Sequence, residues 1–394
     1  MAVETYNLIS NPGTASRKYA LFSGQHWRAS LHFEQEGDRF IYTYQDTAAH
    51  HTNPIDMPDL DHAVAQVAPL LKQHGVLPEL AAVSRIGLRI VAPGSFFLEN
   101  HPVDSLLMRH LETAKRIAPL HVTASLEEFQ NLSACFAHVP IYAISDSSFH
   151  STKPDWAWNY GIPLDDADRL DIKRFGYHGL SVSSVVHTLR QVEKMPPRLV
   201  VCHLGSGASV TAVEHGKSID TTMGFSPLEG LIMATRSGSI DAGAVLAIKQ
   251  HLGLTDKQLE TYLNRQAGLL GLSGLSSDIR ELLGAESTGN HRAELALGTY
   301  VYSVQKAIGQ MAAALGGIDV LVFTGTVGQR SAVIRKRIAQ NLTYMDISLD
   351  KHENASCIDS DSLICISTLA HSKPVFVIPT NEALEMNRQL QDLD

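Results

Sequence analysis

The chain is poor in cysteine: Cys135, Cys202, Cys357 and Cys365 are the only four in 394 residues. None forms a CxxC pair, and four are too few for a disulfide scaffold, so free thiols in a reducing compartment are expected. No run of about 18 apolar residues exists, so no membrane span is expected. The opening stretch, MAVETYNLIS, is neither basic nor apolar enough for a secretory signal, so the expected location is the cytoplasm. Positive charge is in the minority: the net charge of −9 argues against a general affinity for nucleic acid or acidic membrane. It leaves room for a local basic pocket. Low-complexity tracts and GxxxxGK[ST] are both missing, which excludes a P-loop, and no GxGxxG sits at a strand-to-helix junction. Nineteen histidines are present, but none in HExxH or paired-ligand spacing. His50, His51, His101 and His110 therefore read as surface residues rather than ligands.

What remains is an ordinary packed chain, 44% hydrophobic and 19% charged, long enough for two domains. Tyr6 to Gly24 reads as strand, polar turn Asn11–Ser16, strand. Further strands are expected near Arg28–Glu34, Arg39–Gln45, Ile86–Val91 and Ile141–Ile144. Helices fit Leu60–His74 with Asp59 as cap, Ser105–Ile117 and Leu126–His138. From Ser147 to Gly179 the sequence is aromatic, polar and aperiodic, and reads as a loop-rich crossing between domains beside a cleft. At Arg198 the opening pattern returns: LVVCHLGSGASVTAVEHG is again strand, glycine turn, strand, roughly 190 residues after YNLISNPGTASRKYALFSG. Later helices fit Ala242–His251, Asp256–Gln266 with Thr255 as cap, His291–Leu315 and one from Ser331. Asp319–Phe323 and Pro374–Ile378 read as strands, and a closing helix follows Glu382. Strands mixed with helices throughout make the class α/β.

Three glycine turns follow expected strands, at Gly13, at Gly205/Gly207 and at Gly325/Gly328. Glycine lets the backbone approach a ligand closely and aim N–H groups at it, which suits phosphate oxygens. A duplicated strand–turn–strand, an acid after a strand and a later glycine turn together resemble the sugar kinase, Hsp70 and actin superfamily. Five segments make the resemblance specific: Arg174-FGYHG, His203-LGSGASV, Asp220-TTMGFSPLEGLIMATRSGSID, Gly271-LSGLSSDIR and Val377-IPTNEA. In this order they resemble the acetate kinase family, over essentially the whole chain from Asn11 to Arg388.

That resemblance implies two ribonuclease-H-like domains with a central cleft: residues 1–148 plus 380–394, and residues 149–379 carrying the nucleotide and the dimer contact. It implies phosphoryl transfer between ATP and a short carboxylic acid, acetate first and propionate or butyrate as alternatives. It implies magnesium, or manganese in its place, and a homodimer. Both reactants are anions, so cationic groups must hold them together. By match to the family's motifs, Arg89 grips the substrate carboxylate, as a bidentate guanidinium can. His178 and Arg236 stabilise the transferring phosphoryl. Asp146 orients the reaction centre; a carboxylate nucleophile is already ionised at neutral pH and needs no general base. Asn11 and Glu382 match the metal-site residues, although an acid such as Glu382 also suits a helix N-terminus. Lys18 matches a polyphosphate contact, and His203, Leu204, Gly205, Ser206 and Gly207 match the main phosphate turn. Asp278, Ile279 and Arg280, with Thr326, Val327, Gly328, Gln329 and Arg330, match the adenosine-contacting segments. Val91, Leu120, Phe175 and Pro227 wall the pocket for the alkyl end of the acid.

The chain departs from the family pattern in four places. The usual Asn-x-Gly-Ser-Ser-Ser is Asn11-Pro-Gly-Thr-Ala-Ser; Thr14 can replace a serine hydroxyl but Ala15 cannot. This beginning also resembles butyrate kinases. The usual Arg-Val-Val-His-Gly-Gly is Arg89-Ile-Val-Ala-Pro-Gly, a stiffer loop. The usual asparagine of the phosphate turn is the shorter Ser206. Gly-Ile-Gly-Glu-Asn becomes Thr326–Arg330, which predicts a narrower adenosine pocket or a different phosphoryl donor. A relative that binds nucleotide without catalysis is the second expectation from that change, but Arg89, Asp146, His178, Arg236 and Glu382 are all retained.

Overall fold

The computed structural model describes residues 4–13, 16–192, 195–358, 360–368 and 372–393. The expectations for Thr14 and Ala15, and for the side chain of Leu120, lie outside the described residues. The chain divides into two compact units, Met1–Ser148 with Asn381–Asp394, and Phe149–Thr380.

The first unit holds eight strands: β1 (Tyr6–Pro12), β2 (Ser16–Ser23), β3 (His26–Glu36), β4 (Arg39–Asp46), β5 (His50–Ile55), β6 (Val83–Ile90), β7 (His101–Pro102) and β8 (Ile141–Ser145). They form one sheet in the order β5-β4-β3-β2-β1-β6-β8-β7. The β3 sequence HWRASLHFEQE buries Ala29, Leu31 and Phe33 and leaves alternate positions more open, the period of two of a half-buried strand. In contrast, β1 and β6 pair in parallel, as do β6 and β8. These central strands are buried along most of their length without strict alternation, as expected where both faces are covered. Helix Ala63–Gln73 follows a turn whose first N–H groups are capped by Asp59. The next helix, Ser105–Ile117, is capped by Asp104. The helix expected from Leu126 starts seven residues earlier, at Pro119, where proline occupies the first turn. The closing helix, Glu382–Gln391, packs on β1, β6 and β8. It crosses above Gly87, where a Cβ would lie 2.9 Å from Ile9 Cδ1 and 3.4 Å from Leu390 Cδ2.

The second unit holds β9 (Arg198–Leu204), β10 (Ala208–Glu214), β11 (Lys217–Thr221), β12 (Val320–Thr324), β13 (Ile364–Cys365) and β14 (Val375–Val377). Their order is β11-β10-β9-β12-β14-β13. Three antiparallel strands followed by two parallel ones repeat the core of the first sheet, β3-β2-β1-β6-β8. The repeat seen in the sequence is thus the β1–β2 and β9–β10 hairpins. Helix His291–Ala314 packs on β9 and β10 through Ala293, Leu297, Tyr300, Val304, Ile308 and Met311, a stripe at helical spacing. Asn290 caps its start, and Thr255 caps Asp256–Thr261 with a full capping box.

Three expectations are corrected. The aperiodic stretch after Ser147 contains short helical turns, Ser148–Thr152, Asp155–Trp158 and Leu164–Leu170. The third glycine turn is not a turn: β12 runs through a single left-handed Gly325, φ +77°, into helix Gly325–Arg330. The paired histidines differ in burial: His50 and His110 are exposed, while His51 and His101 are half-buried. His51 and His74 pack with Tyr44, and His101 and His110 stack on Phe96 at 4.0 and 3.9 Å.

Candidate active site

In the first unit, the parallel strands β1, β6 and β8 end side by side, the place where open α/β sheets present ligand-binding groups. Asn11 and Arg89 each lie one residue from the end of β1 and β6, and Asp146 follows β8, its N–H bonded to the Ile90 carbonyl at 3.0 Å. Glu382 opens the closing helix, whose N-terminus Asn381 caps through Leu384. These four side chains make one cluster. Arg89 Nη2 lies 3.0 Å from Asp146 Oδ2, and Nη1 lies 3.5 Å from Glu382 Oε2. Arg89 Nη1 also donates to Asn11 Oδ1 at 3.1 Å, and Asn11 Nδ2 donates to Glu382 Oε2 at 2.9 Å. Burial opposes the Arg89 charge, but Asp146 and Glu382 outweigh it and hold its pKa above the ordinary value. Arg89 Nε is buried with no hydrogen-bond partner among the described residues. Lys18 stands opposite Asn11 across the β1–β2 ladder, with its side chain exposed. Val91 follows β6 and is half-buried.

The β1–β2 turn is clamped by a residue that sequence reasoning passed over. Arg17 is buried, bonds to the Gly13 carbonyl and lies 2.6 Å from Asp61. Its Nε lies 3.5 Å from the buried Glu128, which accepts from Ser10 and Tyr19 at 2.6 and 2.9 Å. Nothing in the local spacing of Arg17 signals partners 44 and 111 positions away.

In the second unit, the β9–β10 turn Gly205–Gly207 is flanked by the Arg236 guanidinium, the His178 and His203 imidazoles and the Thr326 nitrogen. A Cβ at Gly207 would lie 3.2 Å from His178 Nε2 and 3.7 Å from Arg236 Nη1. A Cβ at Gly205 would lie 3.9 Å from the Thr326 nitrogen. His178 shares Nδ1 with Ser209 Oγ at 3.0 Å, and His203 Nδ1 lies 2.7 Å from Ser181 Oγ. The two imidazoles are 4.2 Å apart. Leu204 is fully buried in the sheet, and Ala234 N–H donates to the Ser206 carbonyl at 3.1 Å. Arg236 Nη1 donates to the Pro227 carbonyl at 3.3 Å. Among the described residues Arg236 has no carboxylate partner, and burial lowers its pKa. A desolvated guanidinium without a counter-charge is suited to an anionic ligand.

The adenosine candidates occupy two helix starts. Asp278 caps helix Ile279–Ser287 and pairs with the exposed Arg280, while Ile279 is buried beneath. Thr326 and Arg330 are exposed, Val327 and Gln329 half-buried, and Gly328 buried. The fully buried Arg335 holds that helix by donating to the Gly328 and Gln329 carbonyls at 2.8 and 2.6 Å. In sequence Arg335 looks like a surface residue of a basic run.

Of the expected pocket walls, Pro227 is buried at the Arg236 contact. Phe175 is fully buried, 6.0 Å from Phe225, so the partly exposed ring of this pair is Phe225. The loop carrying Pro227 is bracketed by Tyr160, Glu229 and Arg174, also unforeseen. Tyr160 Oη donates to Glu229, accepts from Phe225 N–H at 2.9 Å, and Arg174 lies 2.8 Å from Glu229. A cavity of about 480 Å³ is lined by Arg174, Asp220, Glu229, Lys306 and Gln310; His178, His203 and Arg236 do not line it.

Comparison with known proteins identifies the family. The sequence profile of the Acetokinase family matches residues 6–388. The chain is 39% identical to an acetate kinase of Bacteroides thetaiotaomicron over 82% of this chain and 81% of that one. It is 38% identical to an acetate kinase of Dictyoglomus turgidum over 97% and 96%. Among solved structures it resembles Porphyromonas gingivalis acetate kinase, TM-score 0.85 at 29% identity, over 99% of this chain and 100% of that one. It also resembles a propionate kinase of Francisella tularensis, TM-score 0.88 at 28% identity, with the same coverage. The shared fold is two-domain α/β of the ribonuclease-H-like, actin type. The chain belongs to the acetokinase family.

Proposed function

We propose that the protein is an acetate kinase: a carboxylate oxygen of acetate attacks the γ-phosphorus of ATP, the new C–O–P link forms, the bond to the β-phosphate oxygen breaks, and acetyl phosphate and ADP leave. The observation that carries this reading is Arg236, a desolvated cation with no carboxylate partner among the described residues, set with His178 against a glycine turn. That is the composition needed to stabilise a phosphoryl group whose charge spreads over three oxygens. Arg89 receives the acid's carboxylate, exchanging part of its pairing with Glu382 for the incoming anion. Asp146 keeps the guanidinium oriented. Val91, Phe225 and Pro227 offer apolar surface to the methyl group. The turn His203–Gly207 and Lys18 take the polyphosphate, and residues 278–280 and 326–330 take the nucleoside.

Magnesium, or manganese, fits the donors at the strand ends. Asn11, Glu382 and Asp146 supply hard oxygens, and the 2.9 Å Asn11–Glu382 bond holds two of them together. Among the described residues no cluster of three His, Cys, Asp or Glu side chains could hold a metal unaided. The ion would therefore keep waters and arrive with the polyphosphate, whose charge it would reduce.

The helix Ala242–Leu252 supports a homodimer. None of its residues is buried, yet its sequence is AGAVLAIKQHL, with Leu246 67% and Leu252 57% exposed. An apolar face of this kind marks an association surface, and a second copy is its proposed partner. No helix among the described residues is long and apolar enough to cross a membrane, and the proposed location is the cytoplasm.

The test is a donor-by-acceptor matrix: ATP, GTP and pyrophosphate against acids of two to four carbons, with acyl phosphate trapped as hydroxamate. Saturable ATP- and acetate-dependent product is expected, with propionate second, since one methylene changes binding by about 1–3 kcal/mol. Product with pyrophosphate alone would move the donor assignment to the altered segment Thr326–Arg330. No hydroxamate with any pair would leave a nucleotide-binding protein without catalysis.

A further inference from the structure

His150 is fully buried, and neither a carboxylate nor any proposed contact with substrate accounts for it. Its Nε2 lies 3.0 Å from the Tyr177 carbonyl and its Nδ1 lies 2.8 Å from Ser218 Oγ. A carbonyl only accepts, so Nε2 carries the proton. In the neutral ring Nδ1 then accepts from the Ser218 hydroxyl. Burial and the neighbouring Lys153 push the imidazole pKa down to about 3, so this one tautomer persists at working pH.

The carbonyl that His150 holds belongs to the peptide leading into His178. That residue adopts φ +61°, and Gly176, two residues earlier, adopts φ +86°. A left-handed histidine is held against its intrinsic preference, and such strain persists only where surrounding contacts enforce it. The orientation of the 177–178 peptide sets the φ of His178. The ring of His150 also occupies the space beside Gly176, where a Cβ would come within 2.8 Å of its Cδ2. On the far side of this peptide, His178 Nδ1 meets Ser209 and its Nε2 faces Gly207.

We propose that His150 is a positioning residue: its Nε2–H bond to the Tyr177 carbonyl fixes the strained peptide that aims His178 at the Gly205–Gly207 turn. This rests on the reading of that turn as the phosphate cradle. Displacing a reacting group by about 1 Å is enough to slow a reaction on the order of a hundredfold.

Two variants separate positioning from packing. His150→Phe keeps the ring and removes the donor; His150→Gln places an amide N–H near the Nε2 position. In His150→Phe, kcat is expected to fall about 30- to 100-fold with KM for both substrates within about threefold. His150→Gln is expected to recover at least tenfold of that loss. The second readout does not need turnover: the ¹³Cε1 resonance of His178, assigned by its loss in His178→Gln, shifts in the Phe variant and returns in the Gln variant. Ser218→Ala, which leaves the ring in place but frees its other side, moves the same resonance in the same direction. Equal losses in the Phe and Gln variants, or a His178 resonance unmoved in Phe and in Ser218→Ala, overturn the proposal. Wild-type protein that makes no acyl phosphate refutes the kinase reading, and the resonance alone then decides whether His150 positions His178.

Discussion

Gly224 offers a sharp test of how the loop carrying Pro227 is held. A Cβ built there would lie 1.8 Å from Glu229 Oε2 and 2.4 Å from Tyr160 Oη, far inside contact distance. Gly224 is not among the residues with positive φ, so Gly224→Ala carries a steric penalty without a conformational one. To make room, Glu229 and Tyr160 must part. Their bond to each other is charge-assisted and worth about 1.5–3 kcal/mol. Phe225 N–H→Tyr160 is a neutral bond worth about 1 kcal/mol. The Arg174–Glu229 pair is partly exposed, so it adds less than about 1 kcal/mol. The sum is about 2.5–5 kcal/mol, and for a unit of this size about 5–20 °C in melting temperature. The same disturbance reaches Arg236, whose Nη1 is steadied by the Pro227 carbonyl, so kcat is expected to drop about tenfold or more. The decisive measurement is a mutant cycle by thermal unfolding. In a Tyr160→Phe/Glu229→Ala background both obstructing oxygens are gone, and Gly224→Ala should then cost less than about 0.5 kcal/mol. If Gly224→Ala costs the same in both backgrounds, the bracket does not hold the loop.

The two arginines should respond oppositely. Arg236→Met removes a desolvated cation that no carboxylate compensates, so melting temperature should hold or rise while kcat falls about a hundred- to a thousandfold; a clear loss of stability contradicts the assignment. Arg89→Met leaves Asp146, 1% exposed, beside Glu382 without their cation. The first unit should lose about 3 kcal/mol in denaturant unfolding, and KM for acetate should rise about a hundredfold with the lost charge-assisted bonds. An unchanged KM would place the acid elsewhere. For pH, burial lowers the Lys153 pKa to about 8 from 10.5. Between those values the unfolded chain binds the proton and the folded one does not, so this penalty is full below pH 8 and fades as pH rises toward 10.5. Lys153→Met removes the penalty, so its stability advantage over wild type in urea should shrink between pH 8 and 10; a constant difference refutes the shift.

Features that rest on local chemistry were legible in the sequence. The β1–β2 and β9–β10 hairpins show as strands either side of a glycine turn, and Asp59 and Thr255 precede helices they cap. What tertiary packing decides was not. Helix Gly179–Val192, GLSVSSVVHTLRQV, is rich in serine and valine, and its burial overrides weak helix propensity. The segment after β12 looked like a phosphate turn because two glycines are visible, but only Gly325 needs a left-handed backbone, and Gly328 is ordinary helix packed on the sheet. His150, Glu128 and Arg335 were invisible as contributors for another reason. His150 and Glu128 work through partners far along the chain, Ser218 at 68 positions and Ser10 at 118, which no spacing rule spans, while Arg335 turns inward to nearby carbonyls and to Asn354, which a basic run does not announce.

The duplication has a consequence for how charge is arranged. Both units end the same parallel strands at their ligand-presenting edge, yet the groups placed there differ. In the first unit the cation Arg89 is buried among two carboxylates and an amide, so it is held in place before any substrate binds. On the proposed function, the incoming acid competes with Glu382 for part of the guanidinium. In the second unit Arg236 has a single carbonyl at 3.3 Å and no carboxylate among the described residues. Its charge is left for a more highly charged ligand. A monoanion needs orientation, which a paired guanidinium supplies through fixed geometry. A transferring phosphoryl group needs net positive charge aimed where negative charge accumulates, which a paired guanidinium would not supply. On the proposed function, one fold used twice thus serves the two anions by differing in whether its arginine is neutralised in advance.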